Sequence, residues 1–181
     1  MFFRLTAISA LAITAAMPAM AAPLFNRIAS FPVAQNLPEG ADPLSETSAE
    51  IMAVSQDGMT LIYSDSPNQA LGLIDISDPH APKPLGQVAM QGEPTTTVVI
   101  GGTGFAGVNT SESRANPSGA LRSVDLARRE VLASCDLGGQ PDALARNQDG
   151  SRVAVAIENE RDEEVNNGAL PQGPAGFVAV F

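Results

Sequence analysis

Five acidic side chains in this sequence carry the oxygen atoms that a calcium ion prefers. They are Glu50, Asp142, Glu158, Glu160 and Asp162. Ca²⁺ is held in proteins by carboxylates, amides and backbone carbonyls. The spacing of the five residues does not match the pattern of an EF-hand loop. A calcium site would therefore need a fold that brings three separate parts of the chain to one place.

Two other interpretations of the same carboxylates stay open. They can be solvated loop residues, with Arg161 neutralising its neighbours in the segment ENERDEE. They can also form a surface for a basic partner or substrate. Two carboxylates of ENERDEE could exchange protons with a substrate, but nothing in the sequence fixes the distance between them.

The rest of the sequence argues against a catalytic site within the chain. There is one histidine, His80, and one cysteine, Cys135. A Ser-His-Asp arrangement needs a histidine, and His80 lies in the proline-rich segment SDPHAPKP, where we predict a turn. Zinc sites need clusters of histidine or cysteine. We predict that Cys135 is a small buried strand residue, and we assign no catalytic or cofactor-binding residue.

The elements that must position the acidic residues follow a pattern that recurs three times. Each copy has an apolar run, a glycine turn, a second apolar run, a polar loop and a third apolar run. The period of roughly 46 residues is in the range of β-propeller blades. We predict an all-β fold of four-stranded blades, with the last blade truncated and the ring incomplete. The predicted blades are 50–94, 95–141 and 142–181.

The repeat also predicts which residues share one end of the fold. The innermost strands should begin near Glu50, Thr95 and Asp142, which hold equivalent places ahead of the glycine turns. In a propeller these starts surround the central channel, at the same end as the loops that join second and third strands. That end should concentrate carboxylates and amides. The polar and acidic residues of those loops are Asp65, Asn68, Asn109, Glu112, Glu158, Asn159, Glu160, Asp162, Glu163 and Glu164.

The outer strands and the lead-in segment are less regular. The fourth strand is predicted at LGQVAM in the first copy and at VLASC in the second, and it is missing from the third. Residues 23–49 form a proline-rich lead-in. We predict a short strand there from Arg27 to Phe31, followed by a loop, because Pro38, Gly40 and Pro43 disfavour a helix.

The first 22 residues have the pattern of a cleaved signal peptide. Arg4 precedes an apolar stretch of about a dozen residues, which is too short to span a bilayer as a stable helix. Ala19-Met20-Ala21 fits the small-residue cleavage rule. We therefore predict residues 1–22 as a signal peptide and the protein as periplasmic or secreted.

The charge balance restricts the partners. The chain has 10 Lys and Arg against 20 Asp and Glu, for a formal net charge of −10. An acidic surface repels phosphate backbones and anionic lipid heads. We therefore predict no nucleic-acid binding, and no membrane binding once the signal peptide is removed.

Several longer segments resemble a known bacterial family. IDISDPHAPKPLG, CDLGGQPD and especially IENERDEEVNNGALPQGPAG are similar to the N-terminal propeller region of the family described as having esterase-like activity of phytase. That region is related to YVTN-type and choice-of-anchor propellers. The resemblance covers about residues 25–181. Members of the family are longer, so the resemblance implies a catalytic region beyond residue 181 and a small-molecule phosphoester as substrate.

Two functions follow from these observations. The chain is predicted to be an exported propeller segment of a phytase- or esterase-like protein, serving as a binding or scaffold module without its own catalytic machinery. The alternative is a metal-dependent phosphoester hydrolase whose site lies on the acidic face of the propeller. Whether the chain is an enzyme stays open at this point, and Ca²⁺ is the cofactor that its acidic residues suggest.

Overall fold

Eleven short strands form three separate antiparallel sheets. They are seen in a computed structural model, which describes residues 25–181. The predicted signal peptide, 1–22, and the first residues of the lead-in lie outside the described residues. The only helical elements in the described part are two short 3-10 turns, at Val33–Asn36 and Asn166–Gly168. The prediction of an all-β fold is confirmed.

Each sheet corresponds to one copy of the repeat, and its strands are ordered as in the chain. Blade 1 consists of β1 (Met52–Val54), β2 (Thr60–Asp65), β3 (Ala70–Asp75) and β4 (Lys83–Ala89). Blade 2 consists of β5 (Glu93–Ile100), β6 (Thr103–Asn109), β7 (Gly119–Asp125) and β8 (Glu130–Asp136). Blade 3 consists of β9 (Pro141–Arg146), β10 (Val153–Ile157) and β11 (Phe177–Val180). The described part of blade 3 thus has three strands, as the repeat pattern predicts.

Tight turns join the first and second strands of the blades. Gly58 and Gly150 have positive φ values of 74° and 71°, which glycine adopts without steric cost. In the first turn the carboxylate of Asp57 accepts hydrogen bonds from the Ser55 hydroxyl at 2.6 Å and the Met59 amide at 3.0 Å. These bonds lower the pKa of Asp57. Asp149 accepts a 2.8 Å bond from the Ser151 amide in the equivalent turn.

The core lies between the blades, where the faces of neighbouring sheets meet. Blades 1 and 2 bury one cluster, which includes Ile62, Leu71 and Leu73 from blade 1. Blades 2 and 3 bury a second cluster around Leu121 of blade 2 and Val153, Val155 and Ile157 of blade 3. Because successive side chains point to opposite faces of a sheet, continuous apolar runs such as β3 allow a sheet to pack on both sides.

Two predictions about local structure are wrong. The segment from Arg27 to Phe31 is not a strand, and the lead-in instead forms the 3-10 turn at Val33–Asn36. Cys135 does lie on a strand, β8, but it is exposed rather than buried. Every residue of β8, the outermost strand of blade 2, is exposed. His80 lies in an exposed turn as predicted, and its amide donates to the Asp78 carboxylate at 3.0 Å.

Within residues 25–181 the structure contains no helix long and apolar enough to cross a membrane.

Candidate functional site

The topology places one group of connections at a single end of the three blades. Because neighbouring strands are antiparallel, the β2–β3, β6–β7 and β10–β11 loops lie at the same end as the starts of β1, β5 and β9. We call this the acidic end. Its carboxylates are Glu50, Glu93, Glu112, Asp142, Glu158, Glu160, Asp162, Glu163 and Glu164.

The basic residues are distributed unequally between the two ends. Among the described loops and strand starts of the acidic end, Arg114 and Arg161 are the basic residues. The opposite end, which carries the tight hairpin turns, has a nearly balanced set. Its basic residues are Lys83, Arg128, Arg129, Arg146 and Arg152, and its carboxylates are Asp57, Asp75, Asp78, Asp125, Glu130 and Asp149. The net negative charge of the protein is therefore concentrated at the acidic end.

Two of the candidate calcium ligands affect the pKa of a third, Glu158. The pKa of Glu158 is raised, first by partial burial and then by repulsion from the carboxylates of Asp142 and Glu160. Asp142 follows the start of β9, and Glu158 and Glu160 lie just after β10, which pairs with β9. The antiparallel pairing of these two strands places the three carboxylates at the same end of blade 3.

Gln140 holds the Glu158 side chain in place. Its Nε2 donates a 2.6 Å hydrogen bond to Glu158 Oε1, and its backbone oxygen accepts a 3.1 Å bond from the Glu158 amide. The Gln140 bond partly offsets the rise in the Glu158 pKa. The other side-chain atom, Gln140 Oε1, is buried and has no hydrogen-bond partner among the described residues. This glutamine was not selected from the sequence, although Gln140-Pro141 repeats the place of Glu93-Pro94 in the preceding blade.

Glu160 and Asp162 already have partners of their own. Glu160 forms an ion pair with Arg114 at 3.2 Å, which links the β10–β11 loop to the β6–β7 loop of blade 2. Asp162 Oδ1 accepts a 2.9 Å hydrogen bond from the Glu164 amide, so it stabilises a local turn. The charge of Glu160 is thus neutralised from another loop, and among the described residues no ion pair joins Arg161 to a carboxylate of its own loop.

Glu50 stands apart from the other four candidates. Its Oε2 accepts a 2.8 Å hydrogen bond from the Ser66 hydroxyl, which lies 3.1 Å from the Pro94 carbonyl at the start of β5. A similar contact joins blade 2 to blade 3, where the Thr95 hydroxyl donates to the Pro141 carbonyl at 2.7 Å. Among the described residues, no hydrogen bond or ion pair joins Glu50 to the other candidates.

Asp65 was predicted to open on this face, and that prediction is wrong. It ends β2 and is completely buried. Its carboxylate accepts hydrogen bonds from the Ser48 amide at 3.0 Å, the Asn68 side chain at 3.0 Å and the Gln87 side chain at 2.9 Å. Asp65 therefore fastens the lead-in to blade 1, because a buried carboxylate is stable only when donors satisfy it.

Within residues 25–181, no three His, Cys, Asp or Glu side chains are grouped closely enough to hold a metal ion. A calcium site at the five candidates stays a prediction. A polar cleft of about 600 Å³ does open in the β10–β11 loop. Its lining includes Asn159, Arg161 and Glu163.

Comparison with known proteins identifies the family. The Choice-of-anchor I domain family matches residues 50–180. The chain belongs to the Choice-of-anchor I domain family. Membership indicates a surface or secreted protein of propeller type. No curated protein matches the chain.

Solved structures agree with this domain type. Hydrazine synthase from Kuenenia stuttgartiensis is 17% identical with a TM-score of 0.53, and the match covers 61% of this chain and 30% of that one. A luciferin-regenerating enzyme is 13% identical with a TM-score of 0.53, covering 73% of this chain and 43% of that one. At such identities the likeness concerns the fold alone. The Choice-of-anchor I chain spans less than half the length of these proteins.

Proposed function

We propose that this chain is a binding module of an exported propeller protein and that its acidic end binds cationic ligands. The observation that carries the proposal is the excess of carboxylates over basic residues at the acidic end, where Asp142 and Glu160 both repel Glu158. A cation placed there would relieve the repulsion that raises the Glu158 pKa. Loops from several blades lie at the acidic end, so one ligand bound there can contact more than one blade.

Calcium is the first ligand to test. Carboxylates, the Gln140 amide oxygen and backbone carbonyls are all oxygen donors, which suits Ca²⁺ better than Mg²⁺, because Mg²⁺ needs a tighter octahedron and loses water reluctantly. The proposed site centres on Asp142, Glu158 and Glu160, which would have to move closer together, and Glu160 would have to leave its ion pair with Arg114. Glu50 and Asp162, also candidates from the sequence, would contribute only through a shift of their present hydrogen bonds.

Calorimetric titration of the purified chain with CaCl₂ tests this proposal. We expect saturable binding, and an increase in melting temperature that follows RT ln(1 + [L]/Kd). Glu158→Gln should weaken binding. Glu130→Gln, which removes an exposed carboxylate at the opposite end, is the matched control and should not. Equal weakening by both variants, or no saturable heat, would contradict a calcium site.

The alternative function is a metal-dependent phosphoester hydrolase acting at the same end. The raised pKa of Glu158 favours it, because a carboxyl group that holds its proton more tightly than usual is better suited to act as a general acid. The test is hydrolysis of p-nitrophenyl phosphate and of inositol hexakisphosphate with and without Ca²⁺. Calcium-dependent turnover lost in Glu158→Gln would favour the hydrolase, whereas binding without turnover would favour the module.

We also propose that this chain is part of a protein of the family with esterase-like activity of phytase. The Choice-of-anchor I match supports a propeller module, and the resemblance to the family with esterase-like activity of phytase goes further. It implies that a catalytic region of the same polypeptide and a small-molecule phosphoester are partners of this module. The pattern of residues 1–22 further supports export with cleavage after Ala21. Intact-mass measurement of the exported protein should find Ala22 or Pro23 at the N-terminus, and retention of Met1 would contradict it.

A further inference from the structure

A cleft of about 490 Å³ opens between blades 1 and 2, at the end opposite the acidic end. The β1–β2 turn of blade 1 forms one wall, and the β5–β6 and β7–β8 turns of blade 2 form the other. We call it the interblade cleft. The residues that line it include Gln56, Asp57, Gly101, Gly102, Leu126 and Ala127. Both blades that form the cleft have four strands.

The interblade cleft is wide because the β5–β6 turn of blade 2 has no side chains. Blades 1 and 3 carry Asp57 and Asp149 in the equivalent turns, whereas blade 2 has Gly101-Gly102. A Cβ atom on either glycine would meet no heavy atom within 4 Å. The cleft beside Asp149 is smaller, at about 200 Å³, and Arg146 lines it. Asp57 therefore borders the larger space, and the residues that line this space include no basic side chain.

The carboxylate of Asp57 is held in place with one oxygen atom free. Oδ1 accepts the hydrogen bonds from the Ser55 hydroxyl and the Met59 amide. Within the described residues, no hydrogen bond reaches Oδ2. The Ser55 bond, and after it the Met59 bond, lowers the pKa of Asp57, so the carboxylate is ionised at neutral pH. A ligand in the cleft would thus meet a fixed negative charge.

The arginines of the β7–β8 turn do not neutralise this charge. Arg128 forms its ion pair with Asp125, at 3.4 Å. Arg129 donates a 2.7 Å hydrogen bond to the Leu85 carbonyl of blade 1. In the part of the chain that the structure describes, Asp57 has no ion pair. Its charge is therefore available to a cationic group.

The blade 2 wall of the cleft is apolar and well supported. Leu126 packs against the core cluster between blades 1 and 2, and its amide donates a 3.1 Å bond to the Gly102 carbonyl. On the blade 1 wall, the Thr60 amide donates a 2.8 Å bond to the Ser55 hydroxyl. Because both walls are fixed before a ligand arrives, little ordering would be needed on binding.

We propose that the interblade cleft binds a primary amine carried on a hydrocarbon chain. The ammonium group donates to Asp57 Oδ2, and the chain lies on Leu126 and Ala127. An ammonium group has three donors, and a hydrogen bond between two charged groups is stronger than one between neutral groups. Free alkylamines and lysine side chains share this chemistry. The site uses no residue of the acidic end, so it is independent of the cation proposed there.

Titration of the ¹⁵N-labelled chain with pentylamine at pH 7, followed by NMR, tests the proposal. We expect saturable shifts of the amide signals of Gly101, Gly102 and Ala127. The neutral isostere 1-pentanol should bind about threefold more weakly, because it lacks the ion pair with an exposed carboxylate. Asp57→Asn should lower the affinity for pentylamine by about threefold and leave amine and alcohol equal. Its amide oxygen still accepts from Ser55 and Met59, so the turn should form.

Asp149→Asn is the matched control, because it removes the carboxylate of the equivalent turn in blade 3. It should leave the affinity for pentylamine unchanged. N-acetyl-lysine methylamide identifies the source of the amine, since it presents the same ammonium group on a lysine side chain. Tighter binding than pentylamine would support a lysine of a peptide as the ligand, and weaker binding would support a free amine.

Three outcomes would overturn the proposal. One is the absence of saturable shifts at Gly101, Gly102 and Ala127. Another is equal affinity of the wild-type chain for pentylamine and 1-pentanol, because the carboxylate would then contribute nothing. The third is an equal loss of affinity in Asp57→Asn and Asp149→Asn, because the amine would then respond only to the net charge of the protein.

Discussion

The side-chain nitrogen of Asn36 donates a 3.0 Å hydrogen bond to the hydroxyl of Tyr63. The same nitrogen lies 2.9 Å from the Leu73 carbonyl, and Asn36 Oδ1 accepts a 2.9 Å bond from the Gly86 amide. Asn36 is 2% exposed and Tyr63 is completely buried. One lead-in residue thus satisfies polar groups on β2, β3 and β4, which makes the lead-in part of blade 1.

Replacing Asn36 with alanine should destabilise the chain markedly. The substitution leaves the Tyr63 hydroxyl and the Gly86 amide without this partner in a buried place, and an unsatisfied buried group costs about 1–3 kcal/mol. We expect a loss of about 2–3 kcal/mol in the free energy of unfolding, measured by urea titration. Gln35→Ala, at the exposed neighbouring position, is the control. Equal stabilities of the two variants would show that the lead-in contributes little.

Gly72 should tolerate no side chain, because it lies beneath the ring of Tyr63. The two residues are paired across β2 and β3. A Cβ atom on Gly72 would overlap the Tyr63 ring and hydroxyl. We expect Gly72→Ala to cost about 3 kcal/mol or to prevent folding, since overpacking a rigid site forces the neighbours apart.

The matched control for this substitution is Gly102→Ala. A Cβ atom at Gly102 would meet no heavy atom within 4 Å, and the residue has no positive φ. Thermal melting of the two variants should therefore separate clearly. A Gly72→Ala protein with the melting temperature of wild type would mean that the Tyr63 ring can move aside.

The single tyrosine offers a direct test of the same buried network. Burial raises the pKa of Tyr63 above its ordinary value of 10.0, the Asn36 bond opposes the rise, and the Asp65 carboxylate adds to it. The native state therefore keeps the phenolic proton at a pH where the unfolded chain has lost it. Stability should fall as the pH rises above 10.0, and phenolate absorbance should appear together with unfolding. The urea-unfolded chain should titrate near the ordinary value, and phenolate formation in a folded chain at pH 10.0 would contradict the buried position.

The periodic parts of the fold were predictable because they depend on local pattern. Asp57-Gly58 and Asp149-Gly150 predict hairpin turns, and the apolar runs between the turns predict the strands. Asp65 could not be predicted in the same way. It follows an apolar run and precedes a turn, as a loop residue would. Its burial depends on Ser48 and Gln87, which lie far from it in sequence.

The candidate site was predictable only in part, for a similar reason. The repeat register correctly indicated that the starts of the innermost strands share one end. It grouped Glu50 with Glu158, although blade 2 packs between the two blades that carry them. The pairing of β9 with β10 groups Asp142 with Glu158, and that pairing is specified by strand order rather than by spacing along the chain.

The final prediction concerns the pH dependence of stability at the acidic end. Because the folded-state pKa of Glu158 is raised above 4.5, the native chain binds a proton there more tightly than the unfolded chain does. The stabilising contribution of the protonated group is complete below pH 4.5 and is lost as the pH rises through the folded-state pKa. At neutral pH the ionised side chain is repelled by Asp142 and Glu160. Glu158→Gln should therefore raise the melting temperature there by about 1–3 °C, as expected for a partly exposed repulsion.

The advantage of Glu158→Gln should disappear below pH 4.5, because the wild-type side chain is then neutral as well. Glu163→Gln is the matched control, since Glu163 is an exposed residue of the same loop. Its effect on melting should be small at both pH values. If Glu158→Gln were instead destabilising at neutral pH, the hydrogen bond from Gln140 would outweigh the repulsion, and the case for a cation at this end would be lost. A stabilising effect that persists unchanged at acid pH would point to packing of the amide rather than to charge.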